Sequence, residues 1–196
     1  MTTDSMIIRR SLEEPSAFAE LFERHAGPIG RFAAQRVGAE SAKDVLSETF
    51  LIAFRKRATF DTAWDSAVPW LFGIASRVIH KQRTREARHW RSVVASATVA
   101  ESHAPSGAER ADERADAVAG VQALSARLAA LSARDRETLL LYAWGDLTYE
   151  QIAVALDVPV GTVRSRLNRV RKRLGAQETQ TTREEESNGR TVEQGA

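Results

Sequence analysis

Residues 147–174, LTYEQIAVALDVPVGTVRSRLNRVRKRL, constrain this chain more than any other stretch. Thr148 and Gln151 stand at the spacing of a capping box, in which a hydroxyl and an amide each satisfy a free N–H at a helix start. The helix they open carries Ile152 and Leu156. Asp157-Val-Pro-Val-Gly161 then interrupts it, because Pro159 has no N–H to donate and Gly161 is flexible. A second helix is expected from Thr162. A short helix, a tight turn and a longer basic helix make a helix-turn-helix.

The chemistry of the longer helix follows from its period. At about 100° per residue, Val163, Leu167, Val170 and Leu174 form one narrow apolar stripe that must face a core. Ser165, Asn168, Arg169 and Lys172 lie opposite, with Arg164 and Arg171 on one flank and Arg166 and Arg173 on the other. An arginine can fork onto a guanine edge and an asparagine onto adenine, while flanking cations meet phosphate. A solvated basic rim would normally carry acids for i,i+4 pairing, and this helix has none. DNA in a major groove is therefore the expected partner.

Charge elsewhere supports a second contact with a polyanion. The formal net charge is only +2 over 196 residues. Yet Val158–Gln177 holds six Arg or Lys and no acid, and Arg77–Arg91 holds six with one acid, Glu86. The stretches Glu101–Asp116 and Glu178–Ala196 are acidic, with five acids and two Arg each. Two basic segments separated by acidic, small-residue sequence suggest two separate DNA contacts.

The period of nearly every other apolar segment is also helical, so the expected fold class is all-α. Phe18, Leu21, Phe22, His25, Ile29 and Phe32 share one stripe. Ser41-Ala-Lys-Asp44 reads as a capping box with Ser41 at its N-cap, opening a helix through Val45, Thr49, Phe50, Ile52 and Ala53. Phe60–Pro69 is a break, and Pro69 suits the first turn of the next helix. Trp70, Leu71, Ile74, Val78 and Ile79 line that helix, and Trp70 is expected in the core. Residues 92–117 read as a flexible linker, rich in Ala, Ser and Glu, with Pro105 and Gly107. Helices are expected near 118–130, 133–143, 148–156 and 161–174, and residues 176–196 as a disordered acidic tail. The chain has no cysteine, no signal-peptide core and no apolar run long enough to span a bilayer, so a cytoplasmic protein without membrane insertion is expected.

The segment PVGTVRSRLNRVRKRL resembles the promoter-reading helix of extracytoplasmic-function sigma factors, and LSARDRETLLLYAWGDLTYEQIA resembles the rest of that family's region four. FAELFERHAGPIGRFAAQRVG and KDVLSETFLIAFRKRATFD resemble the first helices of its region two, and PWLFGIASRVIHKQRTR the last. The likeness covers residues 16–91 and 118–175 in the family's order. It implies two small helical domains: residues 1–91 for core RNA polymerase and the −10 element, and residues 118–175 for the −35 element.

Site roles follow from the same resemblance. Asp44 and Glu48, which share a helix face at i,i+4, match acidic positions that dock on polymerase. Asp44 as a helix cap and Glu48 as a solvated acid are the plainer alternatives. Trp64, Arg77, His80, Lys81 and Arg83 match the part that captures unstacked −10 bases, where melting requires a base pocket and cations along the displaced strand. Trp64 could equally pack against its own domain. Arg164, Ser165, Asn168 and Arg169 match the −35 base readers, with Arg171 and Lys172 meeting phosphate. The chain departs from the family at Lys43 and Ser47, where Glu and Gln are usual, at Trp64-Asp65, where Arg-Gly is usual, and at Arg77, where Asn is usual. Core RNA polymerase and promoter DNA are the implied partners. An anti-sigma factor is common in the family, and nothing in this sequence specifies one.

Other classes fit less well. His25, His80, His89 and His103 show no metal-ligand spacing, and no nucleophile elbow, P-loop or dinucleotide motif is present, so neither an enzyme nor a cofactor is expected. A metal nuclease with a helix-turn-helix stays open on acid content alone. So does a helix-turn-helix regulator acting without polymerase, although the first ninety residues lack the alternating strands of a receiver domain. A protein–protein adaptor would leave both basic segments unexplained.

Overall fold

A computed structural model describes residues 2–96 and 126–174, and among these every regular element is helical. The chain begins with α1, Asp4–Glu13, which the sequence pattern did not suggest. Thr3 caps it, its Oγ1 accepting from the Met6 N–H at 3.3 Å, and Ile7, Ile8 and Ser11 face inward. A 3-10 turn over Pro15–Phe18 leads into α2, Ala19–Lys56.

Helix α2 is in effect two helices joined at Gly38, whose φ of 81° and ψ of 162° are open only to glycine. The break thus lies before Ser41. Gly38 is the residue inside α2 that leaves helical φ/ψ, so Ser41 sits within the second half and is not the expected N-cap. The first half buries Leu21, Ile29, Phe32 and Ala33, and the second buries Ala42, Val45, Phe50 and Ala53. Arg57 closes the far end, donating to the carbonyls of Phe54 at 2.7 Å and Ser11 at 3.2 Å. It thereby ties α2 to α1.

Helix α3, Val68–Ser96, packs along α2 with Leu71, Phe72, Ile74, Ala75, Val78 and Ile79 buried. Edge-to-face ring pairs fill the seams, Phe32 on Phe72 at 5.1 Å and Phe18 on Phe54 at 5.3 Å. Phe22, expected in the stripe, is 43% exposed, yet it stands edge-on to buried Phe50 at 4.8 Å. Trp70, also expected in the core, is only half-buried, against Phe60. The helix runs to Ser96, five residues into the segment read as linker. Residues 97–117 of that segment, 118–125 of the next expected helix and the tail 176–196 lie outside the described residues.

The later helices are α4 (residues 126–130), α5 (Ala133–Gly145), α6 (Tyr149–Leu156) and α7 (residues 160–174). The expected capping box is present: Thr148 Oγ1 accepts from the Gln151 N–H, and Gln151 Oε1 accepts from the Thr148 N–H. The turn after α6 takes its left-handed residue at Asp157, φ 54°. Gly161, read as a flexible residue of the turn, lies within α7, and a side chain at it would meet nothing within 4 Å.

By contacts the chain forms two compact units. One contains residues 2–96 and 140–160 of those described, the other residues 126–139 and 161–174. Inside the first unit α6 lies so close to α3 that a Cβ on Gly73 would stand 2.4 Å from the Ala155 carbonyl oxygen. Asp135, Thr138 and the whole of α7 but its first residue belong to the second.

Gly38 yields a direct test. A Cβ there meets no neighbour within 4 Å, so Gly38→Ala strains only the backbone. It is expected to lower stability by about 1–3 kcal/mol in urea unfolding, with helix content unchanged below the transition.

Candidate nucleic-acid interface

In α7, Val163, Leu167 and Val170 are fully buried and Leu174 is half-buried, as the apolar stripe requires. Arg164, Ser165, Asn168, Arg169, Arg171 and Lys172 are all exposed. Their polar atoms are not all idle. Ser165 Oγ donates to the Thr162 carbonyl at 3.0 Å, and Arg171 Nη1 donates to Asn168 Oδ1 at 3.3 Å. Arg169 Nη1 donates to Asp135 Oδ1 at 2.7 Å, and Arg166 Nη1 to Thr138 Oγ1 at 3.4 Å. The helix therefore presents a cationic face opposite its buried stripe, with one flank held to α5. Neither Asp135, in the first turn of α5, nor Thr138, one turn on, carries a local sequence signal that points to α7.

The second basic segment lies on α3. Arg77, His80 and Lys81 are exposed there, and Arg77 and Lys81 line a groove with Glu48, Ile52 and Lys56 of α2. Lys81 Nζ stands 3.5 Å from Glu48 Oε1. A residue matched to polymerase docking and one matched to DNA thus share an ion pair. Lys56, at the end of α2, adds a cation to this groove that the sequence reading missed. Arg83 is different: its Nη2 donates to the Arg36 carbonyl, near the Gly38 break. A guanidinium there meets carbonyls at the end of the first half of α2, where helix polarity favours positive charge.

Asp44 is exposed and Glu48 half-exposed on the second half of α2. Leu51, 47% exposed, falls on the same face by helical spacing and adds an apolar group at its C-terminal end.

Trp64 projects from the loop between α2 and α3 and is 39% exposed. The loop is fixed from the N-terminus. Asp4 Oδ2 accepts from the Ala67 N–H at 2.9 Å, and the Asp4 N–H donates to the Asp65 carbonyl at 3.0 Å. The same carboxylate meets His25 Nε2 at 2.7 Å and Arg24 Nη1 at 3.2 Å. Burial pushes the Asp4 carboxyl up, but the His25 bond, the Ala67 N–H and Arg24 outweigh it and hold it below the usual carboxylate range. His25, read from sequence as a stripe residue, thus holds the Asp4 carboxylate that fixes the loop.

Because its folded-state pKa is lowered, Asp4 contributes stability that is present above about pH 4 and lost as pH falls through the folded value. Asp4→Asn is expected to cost about 1–3 kcal/mol at neutral pH. The gap from the unaltered chain narrows toward about pH 3, which urea unfolding at the two pH values checks.

The sigma-70 region 2 family model matches residues 21–89, and the sigma-70 region 4 model matches residues 121–174. A probable RNA polymerase sigma-C factor of Mycobacterium bovis is 32% identical over 146 residues, 74% of this chain and 75% of that protein. The ECF RNA polymerase sigma factor SigL of Mycobacterium tuberculosis is 31% identical over 156 residues, 79% of this chain and 85% of that one. In fold, the chain is similar to CnrH in its complex with the cytosolic domain of CnrY, with a TM-score of 0.60, 20% identity, and coverage of 90% and 97%. It is also similar to the sigma factor RpoE bound to the anti-sigma factor NepR from Bartonella quintana, with a TM-score of 0.54, 24% identity, and coverage of 80% and 93%. Among the described residues no helix is long and apolar enough to cross a membrane, and no group of three or more His, Asp or Glu could hold a metal ion.

Proposed function

The chain belongs to the extracytoplasmic-function sigma factors of the sigma-70 family, proteins that direct transcription initiation by RNA polymerase, and from that premise we propose how its residues divide the work. Residues 118–175 read the −35 element through α7. Residues 1–91 dock on core polymerase and hold the melted −10 strand. The chain has no catalytic role of its own in this reading. It acts in the bacterial cytoplasm, where polymerase and promoters are.

The observation that carries the −35 assignment is the α7 face, where six cations stand on a helix without an acid and its apolar stripe is buried. Arg164, Ser165, Asn168 and Arg169 are nearest the groove and read base edges. Arg171 and Lys172, toward the helix end, meet phosphate. Lys172→Ala is the cleaner phosphate variant, since Arg171 also holds Asn168. It is expected to weaken holoenzyme binding evenly across promoter variants and flatten the log–log salt slope by roughly one unit, read by titration at several salt concentrations.

Arg77, Lys81 and Lys56 form the cationic path for the displaced strand, His80 stands beside it as a hydrogen-bonding ring, and Trp64 is the stacking group. Arg83 shares its guanidinium with the Arg36 carbonyl and braces α3 on α2. Asp44, Glu48 and Leu51 form the polymerase-docking face, two acids followed along the helix by one exposed apolar side chain. An anti-sigma factor is the regulatory partner suggested by the likeness in fold to the RpoE–NepR complex.

Replacing Asp44 and Glu48 together by Lys tests the docking face. Co-purification with core polymerase is expected to be abolished while helix content by circular dichroism is kept. Asp44→Lys alone, which leaves the Glu48–Lys81 pair in place, is expected to weaken it in part. Unchanged capture of a folded double variant would contradict the assignment.

A further inference from the structure

We propose that Asp135 is a positioning residue that sets which base Arg169 reads; this rests on the −35 reading of α7 given above. Asp135 is 2% exposed, and its carboxylate accepts from Arg169 Nη1 at 2.7 Å. The arginine side chain is 51% exposed, so one end of the pair is inside the fold and the other faces solvent. A carboxylate buried on one side and bonded to a half-exposed guanidinium fixes the direction of that guanidinium. Arginine carries five N–H donors in a rigid planar fork, and the bond to Asp135 leaves the remainder for a base edge.

Local structure explains why Asp135 can hold this post. Ser132 caps α5, its Oγ accepting from the Asp135 N–H at 3.1 Å, which places Asp135 in the first turn. Helix polarity favours an anion there. One turn on, Thr138 Oγ1 accepts from Arg166 Nη1. The pairs 135 with 169 and 138 with 166 are rungs of one ladder, each step being three residues on its helix. The ladder fixes the flank of α7 from which Arg169 projects.

Pre-fixing matters because an arginine loses its rotamer freedom when it forks onto a base, and that loss reduces discrimination. An arginine already held by a buried acid has lost it beforehand. The same acid lowers local positive charge, so it does nothing for attraction to phosphate. Its effect falls on selectivity rather than affinity. It also means that Arg169→Ala alone is a flawed probe, since it leaves a buried carboxylate without its partner.

The test uses holoenzyme assembled from core polymerase and the full chain, with a pool of duplexes randomised over the upstream element. Retained duplexes are sequenced to give preference at every base pair. Asp135→Asn is expected to keep total retention or raise it, while preference at one base pair falls roughly three- to ten-fold. The same base pair should lose its preference in the double variant Asp135→Asn/Arg169→Ala, with no further loss from adding the second change beyond Arg169's own share. If the double variant loses preference at one base pair and Asp135→Asn does not, the positioning role is overturned and the reading role of Arg169 stands. If the double variant loses preference nowhere, Arg169 reads no base and both fall. An even loss across the pool with Asp135→Asn would mark a merely structural acid and also overturn the proposal. Should Asp135→Asn fail to fold by circular dichroism, Asp135→Leu, which fills the site without a charge, carries the same comparison.

Discussion

Burial of one narrow stripe of α7 is the constraint on which the DNA-facing chemistry depends. Val163, Leu167 and Val170 are at most 2% exposed, and burying three such side chains is worth on the order of 5 kcal/mol. No rotation of the helix that exposes them competes with that. With the stripe fixed, helical geometry leaves Arg164, Ser165, Asn168, Arg169 and Lys172 no place but the surface. The helix itself carries no acid, and the acid that meets this face, Asp135 on Arg169, comes from α5, so the face suits water or a polyanion. The fold thus converts a hydrophobic preference into a directed charge pattern.

Two buried carboxylates then aim what the helices carry. Asp4 fixes the loop that presents Trp64, using its Oδ2 for the Ala67 N–H and its own N–H for the Asp65 carbonyl. Asp135 fixes Arg169. In both cases the acid is nearly inaccessible and its partner group is on, or next to, an exposed element proposed to touch DNA. A buried acid costs desolvation and returns it only through well-made bonds, so each leaves its partner with little freedom. The Glu48–Lys81 pair is the contrast: both side chains are substantially exposed, and such pairs are worth little in water.

Local signals in the sequence were the legible ones. The capping box at Thr148–Gln151 and the stripe of α7 need only neighbours three or four residues away, and both stand as read. The period of α7, the capping box of α6 and the Pro159 break between them were therefore legible from neighbouring residues. The break in α2 was misplaced because Ser41–Asp44 has a good cap pattern, whereas Gly38 acts through a backbone conformation that leaves no side-chain signature. Helix α1 was missed because its buried residues, Ile7, Ile8 and Ser11, are interleaved with Arg9 and Arg10; the i,i+4 spacing of Ile7 and Ser11 was the available clue. The long-range pairs were not legible at all. Asp135 lies 34 residues from Arg169, Asp4 lies 63 from Ala67, and Arg83 lies 47 from Arg36. A basic run does not reveal which cation braces its own domain, as Arg83 does, and which faces outward.

In the function proposed, this chain gives RNA polymerase a promoter choice, and α7 makes the upstream part of it. Run-off transcription with core polymerase on a genomic promoter library, with and without the chain, tests it most directly. Transcripts are expected that appear only with the chain and start downstream of a shared pair of elements. With Arg164→Ala/Asn168→Ala the upstream element of that set should degrade while the downstream element is kept. Core polymerase giving the same starts with and without the chain, or an upstream element indifferent to the α7 variant, would contradict it.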